Sequence, residues 1–310
     1  MKASVCFIVP TLKRPAFLRR CLASIQDQNV KPDTVLVGIR ADDQGSTRVL
    51  EEFAATLPVR PIEIEGIGVI GSMSSCLKHA SEDFVALVDD DVELPPHWLA
   101  TMLDHLANHS DVVAAAGRDF LQDHPEMRRN EKRVLDVGNC HWYGRLTGNH
   151  HRGGGKPRRI DILRGSNCLI YGDFLRELGF ERRLRGEGAQ VSWELALAFQ
   201  AMQRGAHFFY DPTVEVIHHS APRLDNDLLH RGEFGFKATT DCAFNETFVV
   251  AQYAPGFCKW SVIAYQAIVG TSLTPGLFHV CRQLLSLDKR AFPRLCATLQ
   301  GRLSALSGGR

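Results

Sequence analysis

The chain has 310 residues, 45% hydrophobic and 23% charged, ordinary globular usage that excludes intrinsic disorder and suits one large α/β domain with an appendage, or about two domains. Thirty-six Lys and Arg against 35 Asp and Glu leave a net charge of +1, which argues against a bulk nucleic-acid binder. The charge is uneven: Pro255 to Arg310 carries seven basic residues and one acid, a +6 segment on an otherwise acidic chain. Nine scattered cysteines without a CxxC pair read as reduced thiols in a cytoplasmic protein. The first apolar run is too short for the core of a signal peptide.

Ser4 to Val9 is a continuous apolar run, as in a strand buried on both faces. Phe17, Leu18, Cys21, Leu22 and Ile25 then repeat at helical spacing. Thr34 to Ile39 predicts a second strand, Arg48 to Leu57 a helix, and Pro58 to Ile64 a third strand. Ser72 to Ala80 suits a helix, and the strand Phe84 to Val88 runs straight into Asp89-Asp90-Asp91. This alternation predicts βα units around a parallel sheet. Asn139 to Arg159, rich in Gly, His and Arg, reads as a long functional surface loop. Ile160 to Tyr171 is extended, and Val191, Leu195, Ala198, Phe199 and Met202 mark a helix ending at Gly205. A strand at His207 to Tyr210, a turn at Asp211-Pro212, and a strand at Val214 to Ile217 lead to His218-His219.

Ligands of open α/β sheets sit beyond the carboxyl ends of strands. Three adjacent carboxylates there repel one another, so a positive group should accompany them. A hard divalent ion fits, and a solvated, helix-capping turn is the plainer alternative. Glu187, in a glycine-flanked loop, and Glu194, in the first turn of a helix, are candidate bases; each also fits a helix N-terminus on dipole grounds alone. His218-His219 offers an imidazole ligand. His150-His151, with Arg152 to Arg159 after it, could grip an anionic acceptor or sit as a solvated loop.

Taken in order, these residues resemble family 2 glycosyltransferases of the GT-A fold. The motifs are Pro10-Thr11-x-x-Arg14 after the first strand, Asp42-Asp43 after the second, Asp89-Asp90-Asp91, Gly165-Ser166-Asn167, Trp193-Glu194-Leu195, and Tyr210-Asp211-Pro212 through His218. The resemblance covers roughly residues 3–235. It implies a Rossmann-like, mostly parallel sheet flanked by helices, with residues 1–235 catalytic (about 1–120 for the nucleotide-sugar, 121–235 for the acceptor) and 236–310 a helical appendage. It also implies a nucleotide-sugar donor and Mn²⁺ or Mg²⁺ on its diphosphate. Pro10, Thr11 and Arg14 would line the nucleotide pocket with Asp90; Asp42 or Asp43 would face the base, Asp89 the ribose, and Asp91 the metal, approached by His218. The acceptor would meet Trp142, His150, His151, Gly165, Ser166, Asn167 and Trp193. The family's usual base, the Asp of a Glu-Asp pair before the Trp-Glu-Leu helix start, is Ser192 here. Glu187 or Glu194 must then take over.

The expected activity is inverting, metal-dependent transfer of a sugar to a hydroxyl acceptor in polysaccharide or glycolipid synthesis. The alternatives are a non-catalytic nucleotide-sugar-binding scaffold, which Ser192 permits, and a sugar-phosphate nucleotidyltransferase, against which the turn after the first strand argues. Trp260 to Cys281 holds 22 residues without a charged side chain, but Gly270 and Pro275-Gly276 divide it. Trp260, Ile263, Ala267 and Ile268 share one face, and Leu277, Val280, Leu284 and Leu285 another, bordered by basic residues. Such faces suit helices lying in an anionic interface, so a peripheral protein on the cytoplasmic face of the inner membrane is expected; packing on the catalytic domain is the alternative. Removal of everything after Ala254 is expected to leave a soluble nucleotide-binding domain.

Overall fold

A computed structural model describes residues 3–121, 132–219, 221–222, 229 and 233–308. The apolar runs become strands of one sheet: β1 (Val5–Pro10), β2 (Thr34–Ile39), β3 (Val59–Glu63), β4 (Phe84–Val88), β5 (Val92–Glu93), β6 (Val112–Leu121), β9 (Arg158–Ile160), β10 (Asn167–Tyr171) and β11 (His207–His218). A small hairpin, β7 (Asn139–Cys140) and β8 (Leu146–Thr147), stands apart. The sheet order is β3-β2-β1-β4-β10-β6-β11-β5, with β9 also on β11. Strands β1 to β4 are mutually parallel where they pair, β6 and β11 are parallel, and β10 runs antiparallel between β4 and β6. The carboxyl ends of β1, β2, β4, β6 and β11 therefore share one edge with the start of β10.

The continuous apolar reading of β1 has a simple cause. Cys6 and Ile8 face one core, and Val5, Phe7 and Val9 face the other. Helices α1 (Pro15–Gln26), α2 (Gln44–Phe53) and α4 (Trp98–Asn108) cover the second face. Helices α3 (Gly68–Leu77), α5 (Gly172–Leu178), α6 (Trp193–Gln203), α7 (Phe236–Tyr253), α8 (Gly256–Ile268) and α10 (Ala291–Ser307) contribute to the first.

Two expectations are corrected. Helix α2 starts at Gln44, earlier than Arg48, because the Asp43 carboxylate accepts from Ser46 N (3.0 Å) and caps it. Asp211-Pro212 is no turn. β11 continues through it with a bulge, pairing Asp211 to Gly117 and then Glu215 to Arg118. A side chain at Gly117 would strike the Val214 carbonyl at 2.5 Å, so the bulge needs that glycine. The C-terminal part packs on the catalytic half. Helix α10 packs on α7 so closely that a Cβ at Gly301 would lie 2.3 Å from the Thr240 carbonyl oxygen. Cutting after Ala254 would bare buried Phe244 and Phe248.

Gly270, at φ +66°, separates α8 from α9 (Leu277–Leu285), as the composition predicts. The apolar faces of these helices largely face outward: Trp260, Ile268, Leu277, Leu284 and Leu285 are exposed, while Val280 turns in. Among the described residues no helix is long and apolar enough to cross a membrane.

Candidate active site

The shared carboxyl edge collects an acidic cluster. Asp89, Asp90 and Asp91 follow β4, Asp119 ends the regular part of β6, and His218 closes β11. One ligand atom each from Asp89, Asp91 and His218 falls within 4.8 Å of the others. The three consecutive carboxylates are split by their partners. Asp90 is 2% exposed and points at β1, where Thr11 Oγ1 donates to it at 2.6 Å and Arg14 Nη1 at 3.1 Å. Asp91 accepts from His218 Nε2 (3.2 Å) and from the Ala221 amide (3.1 Å). Thr11 and Arg14 are thus both engaged with Asp90.

Asp119 has no exposure and was missed by the sequence reading. It accepts from Ser166 Oγ (2.9 Å), from Asn167 Nδ2 and from the Arg164 guanidinium, and it faces His218 Nδ1 at 3.9 Å. His218 therefore lies between two carboxylates. Burial alone would lower the imidazole pKa, but hydrogen bonding and charge from Asp119 and Asp91 outweigh it and hold it at about 10. Burial and the nearby Asp91 charge push Asp89 up to about 7, and burial pushes Asp90 up to about 6 against the pull of Arg14. Burial opposes ionisation of Asp91 and Asp119 as well, yet His218 and Arg14 keep the first below the usual carboxylate range. Arg164 and His218 do the same for the second. The positive partners expected for the aspartates are Arg14, Arg164 and His218. The signal for Asp119 was an apolar run, Val112 to Ala116, ending in a charged pair just as β4 does.

The two candidate bases separate. Glu194 lies in the first turn of α6, after Ser192 in the left-handed region at φ 79°. It borders the cluster. Burial raises its carboxyl above the usual range although its own amide and that of Gly165 donate to it and Arg164 lies nearby. Glu187 instead lines a cavity of about 540 Å³ with Glu65, Ile67, Arg182, Arg185 and Lys237. The loop bearing Glu187 is fixed at both ends. Gly188 O accepts from Val69 N (2.9 Å), and the Gln190 side chain accepts from Ile70 N (3.0 Å). Asn245 of α7 accepts from Arg185 N (2.7 Å) and donates to Arg185 O and Val191 O.

The remaining predicted residues divide between surface and scaffold. Asp42 is exposed and pairs with Lys13 at 2.7 Å, whereas Asp43 is spent on its cap and on Lys13 N. Pro10 ends β1 at the same edge. Trp142 is 85% exposed at the tip of the β7–β8 hairpin. His150 is corrected. Its ring is buried beneath Tyr210, Nε2 pairs with Ile162 O at 2.9 Å, and burial lowers its pKa to about 4. It is a neutral structural histidine, so no twin imidazole grip forms with half-buried His151. Trp193 is also buried, its ring lying where a Cβ of Gly165 would sit at 2.0 Å. Ser166 and Asn167 serve by holding Asp119, the latter also accepting from Gly117 N (2.8 Å).

Two carboxylates and an imidazole, oxygen and nitrogen donors within 4.8 Å of one another, are close enough to share one Mn²⁺ or Mg²⁺. His218 Nδ1 is buried without a hydrogen bond, the Asp119 carboxylate standing off at 3.9 Å.

Comparison with known proteins agrees with this geometry. The family model described as "Glycosyl transferase family 2" matches residues 6–173. A glucosyl-dolichyl phosphate glucuronosyltransferase of Haloferax volcanii is 25% identical over 184 residues, 58% of this chain and 55% of its own length. The chain thus spans about half of that relative. A Pyrobaculum calidifontis mannosyltransferase, solved with GDP-Man and Mn²⁺, superposes with a TM-score of 0.60 at 17% identity, over 100% of this chain and 89% of the other. TarS of S. aureus (residues 1–349), solved with UDP-GlcNAc, gives 0.66 at 11% identity, over 97% and 81%. At these identities the two structures establish a shared fold, the GT-A fold.

Proposed function

This chain belongs to glycosyl transferase family 2, and on that premise we propose that it is an inverting, metal-dependent enzyme that moves a sugar from a nucleotide-sugar to a hydroxyl acceptor. The observation that carries the reading is the meeting of Asp89, Asp91 and His218 at the carboxyl edge of the sheet. The two solved structures with nucleotide-sugars, one of them with Mn²⁺, support a donor of that class.

Asp91 and His218, with Asp89 in reach, would hold the ion, whose chemistry is to offset charge on the departing diphosphate. Asp42, exposed in the turn after β2, would meet the nucleotide base. Glu194 takes the proton of the acceptor hydroxyl. That oxygen bonds to the anomeric carbon as the bond from carbon to the diphosphate oxygen breaks on the opposite face, and the configuration inverts. Arg164, beside Asp119 and Glu194, favours the ionised form of Asp119. Burial of Glu194 next to the cluster supports it over Glu187 as the base.

The exposed apolar helices α8 and α9 with their basic border support a peripheral place on the cytoplasmic face of a membrane, with a lipid-linked or membrane-proximal glycan as acceptor in cell-surface polysaccharide or glycolipid synthesis. The test is release of UDP or GDP from a panel of nucleotide-sugars with Mn²⁺ and a glycan or lipid-linked acceptor. Turnover above the acceptor-free rate supports transfer. Tight nucleotide binding without turnover favours the scaffold that Ser192 permits.

A further inference from the structure

The β7–β8 hairpin carries His141-Trp142-Tyr143-Gly144-Arg145 between its strands. Its tip lies directly on α8. Gly144, at φ 93°, approaches so closely that a Cβ there would be 2.0 Å from the Ser261 carbonyl oxygen. The Tyr143 ring stands 6.1 Å from that of Tyr265, one turn further along the helix. Trp142 meets Tyr143 edge to face at 5.6 Å. Trp142 and Trp260 are the sequence neighbours of Tyr143 and Ser261, residues of this contact. Both indoles are open to solvent, at 85% and 73%.

Tryptophan, tyrosine and arginine side by side are the composition of a membrane interface, where an amphipathic ring keeps its apolar body in lipid and its polar edge wet. The surroundings agree. Arg145 is exposed beside the indole, and the exposed apolar residues of α8 and α9 continue from Trp260 within the segment of strongest positive charge. An acidic protein partner would match the charge, but not the long apolar continuation through Ile268, Leu277 and Leu285.

We propose that the tip of the β7–β8 hairpin, through Trp142, enters the headgroup layer of an anionic phospholipid bilayer together with Trp260, so that the acceptor side of the active site opens against the membrane. The hairpin is tied to that site by short links. Cys140 N donates to Asp161 Oδ2 (2.9 Å), Asp161 N and Ile162 N donate to Gly138 O, and Arg164, two residues beyond, pairs with Asp119. The proposal rests on the peripheral-membrane reading above and adds a second contact from outside the C-terminal helices.

Four tryptophans make the test direct, because Trp98 and Trp193 are buried. Full-length protein is titrated with phosphatidylglycerol-phosphatidylcholine vesicles carrying brominated acyl chains, and indole emission is followed. Trp260→Phe leaves Trp142 as the exposed reporter, and Trp142→Phe leaves Trp260. Quenching and a blue shift are expected in both variants, and Trp142→Ser should weaken vesicle binding about tenfold. Vesicle binding that quenches Trp260 and leaves Trp142 unquenched overturns the hairpin contact while sparing the helices. Wild-type protein that ignores anionic vesicles at low salt overturns both membrane readings. Nucleoside diphosphate release would then still judge the transferase reading independently.

Discussion

His218 makes metal uptake a proton-release reaction. Its Nε2 lies 3.2 Å from Asp91 and its Nδ1 3.9 Å from Asp119, and the two carboxylates hold the ring protonated to about pH 10. An imidazolium has no lone pair to give, so a bound ion must displace that proton. Where the free site is protonated and the bound site is not, each pH unit should tighten Mn²⁺ about tenfold, or about 1.4 kcal/mol. The slope should hold from about pH 8 to 9, between the two transitions. It should steepen below that, because Asp89, raised to about 7, begins to hold a second proton. The sign for folding without metal is opposite. The raised imidazole pKa stabilises the fold below about pH 6.5, and this contribution is lost as pH climbs through 10. Calorimetric titration of Mn²⁺ in buffers of different ionisation enthalpy counts the protons directly, and one per ion is expected at pH 8. His218→Ala should bind more weakly at high pH and lose the slope. A wild-type affinity that stays flat between about pH 8 and 9 would refute the placement of the ion on His218.

Glu194→Gln should lower kcat by roughly 10² or more with donor KM little changed, while Glu187→Gln stays near wild type; the reverse pattern moves the base into the 540 Å³ cavity. Because burial raises the Glu194 carboxyl, the acid limb of the kcat profile should lie above the ordinary carboxylate range and vanish in Glu194→Gln. Asp119→Leu leaves the Arg164 and His218 charges without their shared counter-ion, and urea unfolding should show a loss of about 3–5 kcal/mol; a loss under 1 kcal/mol would mean the pairing contributes little.

The strands that run unbroken through both cores were legible, because a strand buried on both faces reads as one apolar run; β2 and β4 match their predicted ends. β6 was not. Gly117, Arg118 and Asp119 interrupt its pattern where it enters the site, and the cluster's central buried carboxylate went unseen with it. Proline and aspartate at 211–212 imitated a turn, since a bulge uses the same residues as a loop. Asp42 and Asp43 were indistinguishable by type. Only the position of the Ser46 amide commits Asp43 to a cap and leaves Asp42 at the surface, paired with Lys13. His150 looked functional because polarity is visible in a sequence, whereas the Tyr210 ring that covers it lies 60 residues away.

The C-terminal helices were read as an appendage because their own pattern shows an outward apolar face, and such a pattern says nothing of what the opposite face holds. That opposite face reaches the catalytic half. Helix α10 meets α7 through Gly301, whose added Cβ would lie 2.3 Å from Thr240 O and 2.9 Å from both Ala243 Cβ and Phe244 N. One residue beyond Phe244, Asn245 secures both ends of the loop from Arg185 to Val191 with three hydrogen bonds. Arg185 itself lies over the Phe244 ring at 3.6 Å and donates to Ser304 of α10 at 2.9 Å. Any separation of α10 from α7 must therefore disturb the loop that leads into Glu194. Gly301→Val inserts three carbons into this contact, and no rotamer escapes, since the clash begins at Cβ, whose place χ1 does not change. Overpacking of this kind costs about 1–3 kcal/mol, so the variant should unfold at a clearly lower temperature. It should also lose kcat while nucleotide affinity is kept. Asn245→Ala should reproduce the kcat loss with a smaller drop in stability. If Gly301→Val melts and turns over like wild type, α10 is a passenger and the coupling between the tail and the active site does not exist.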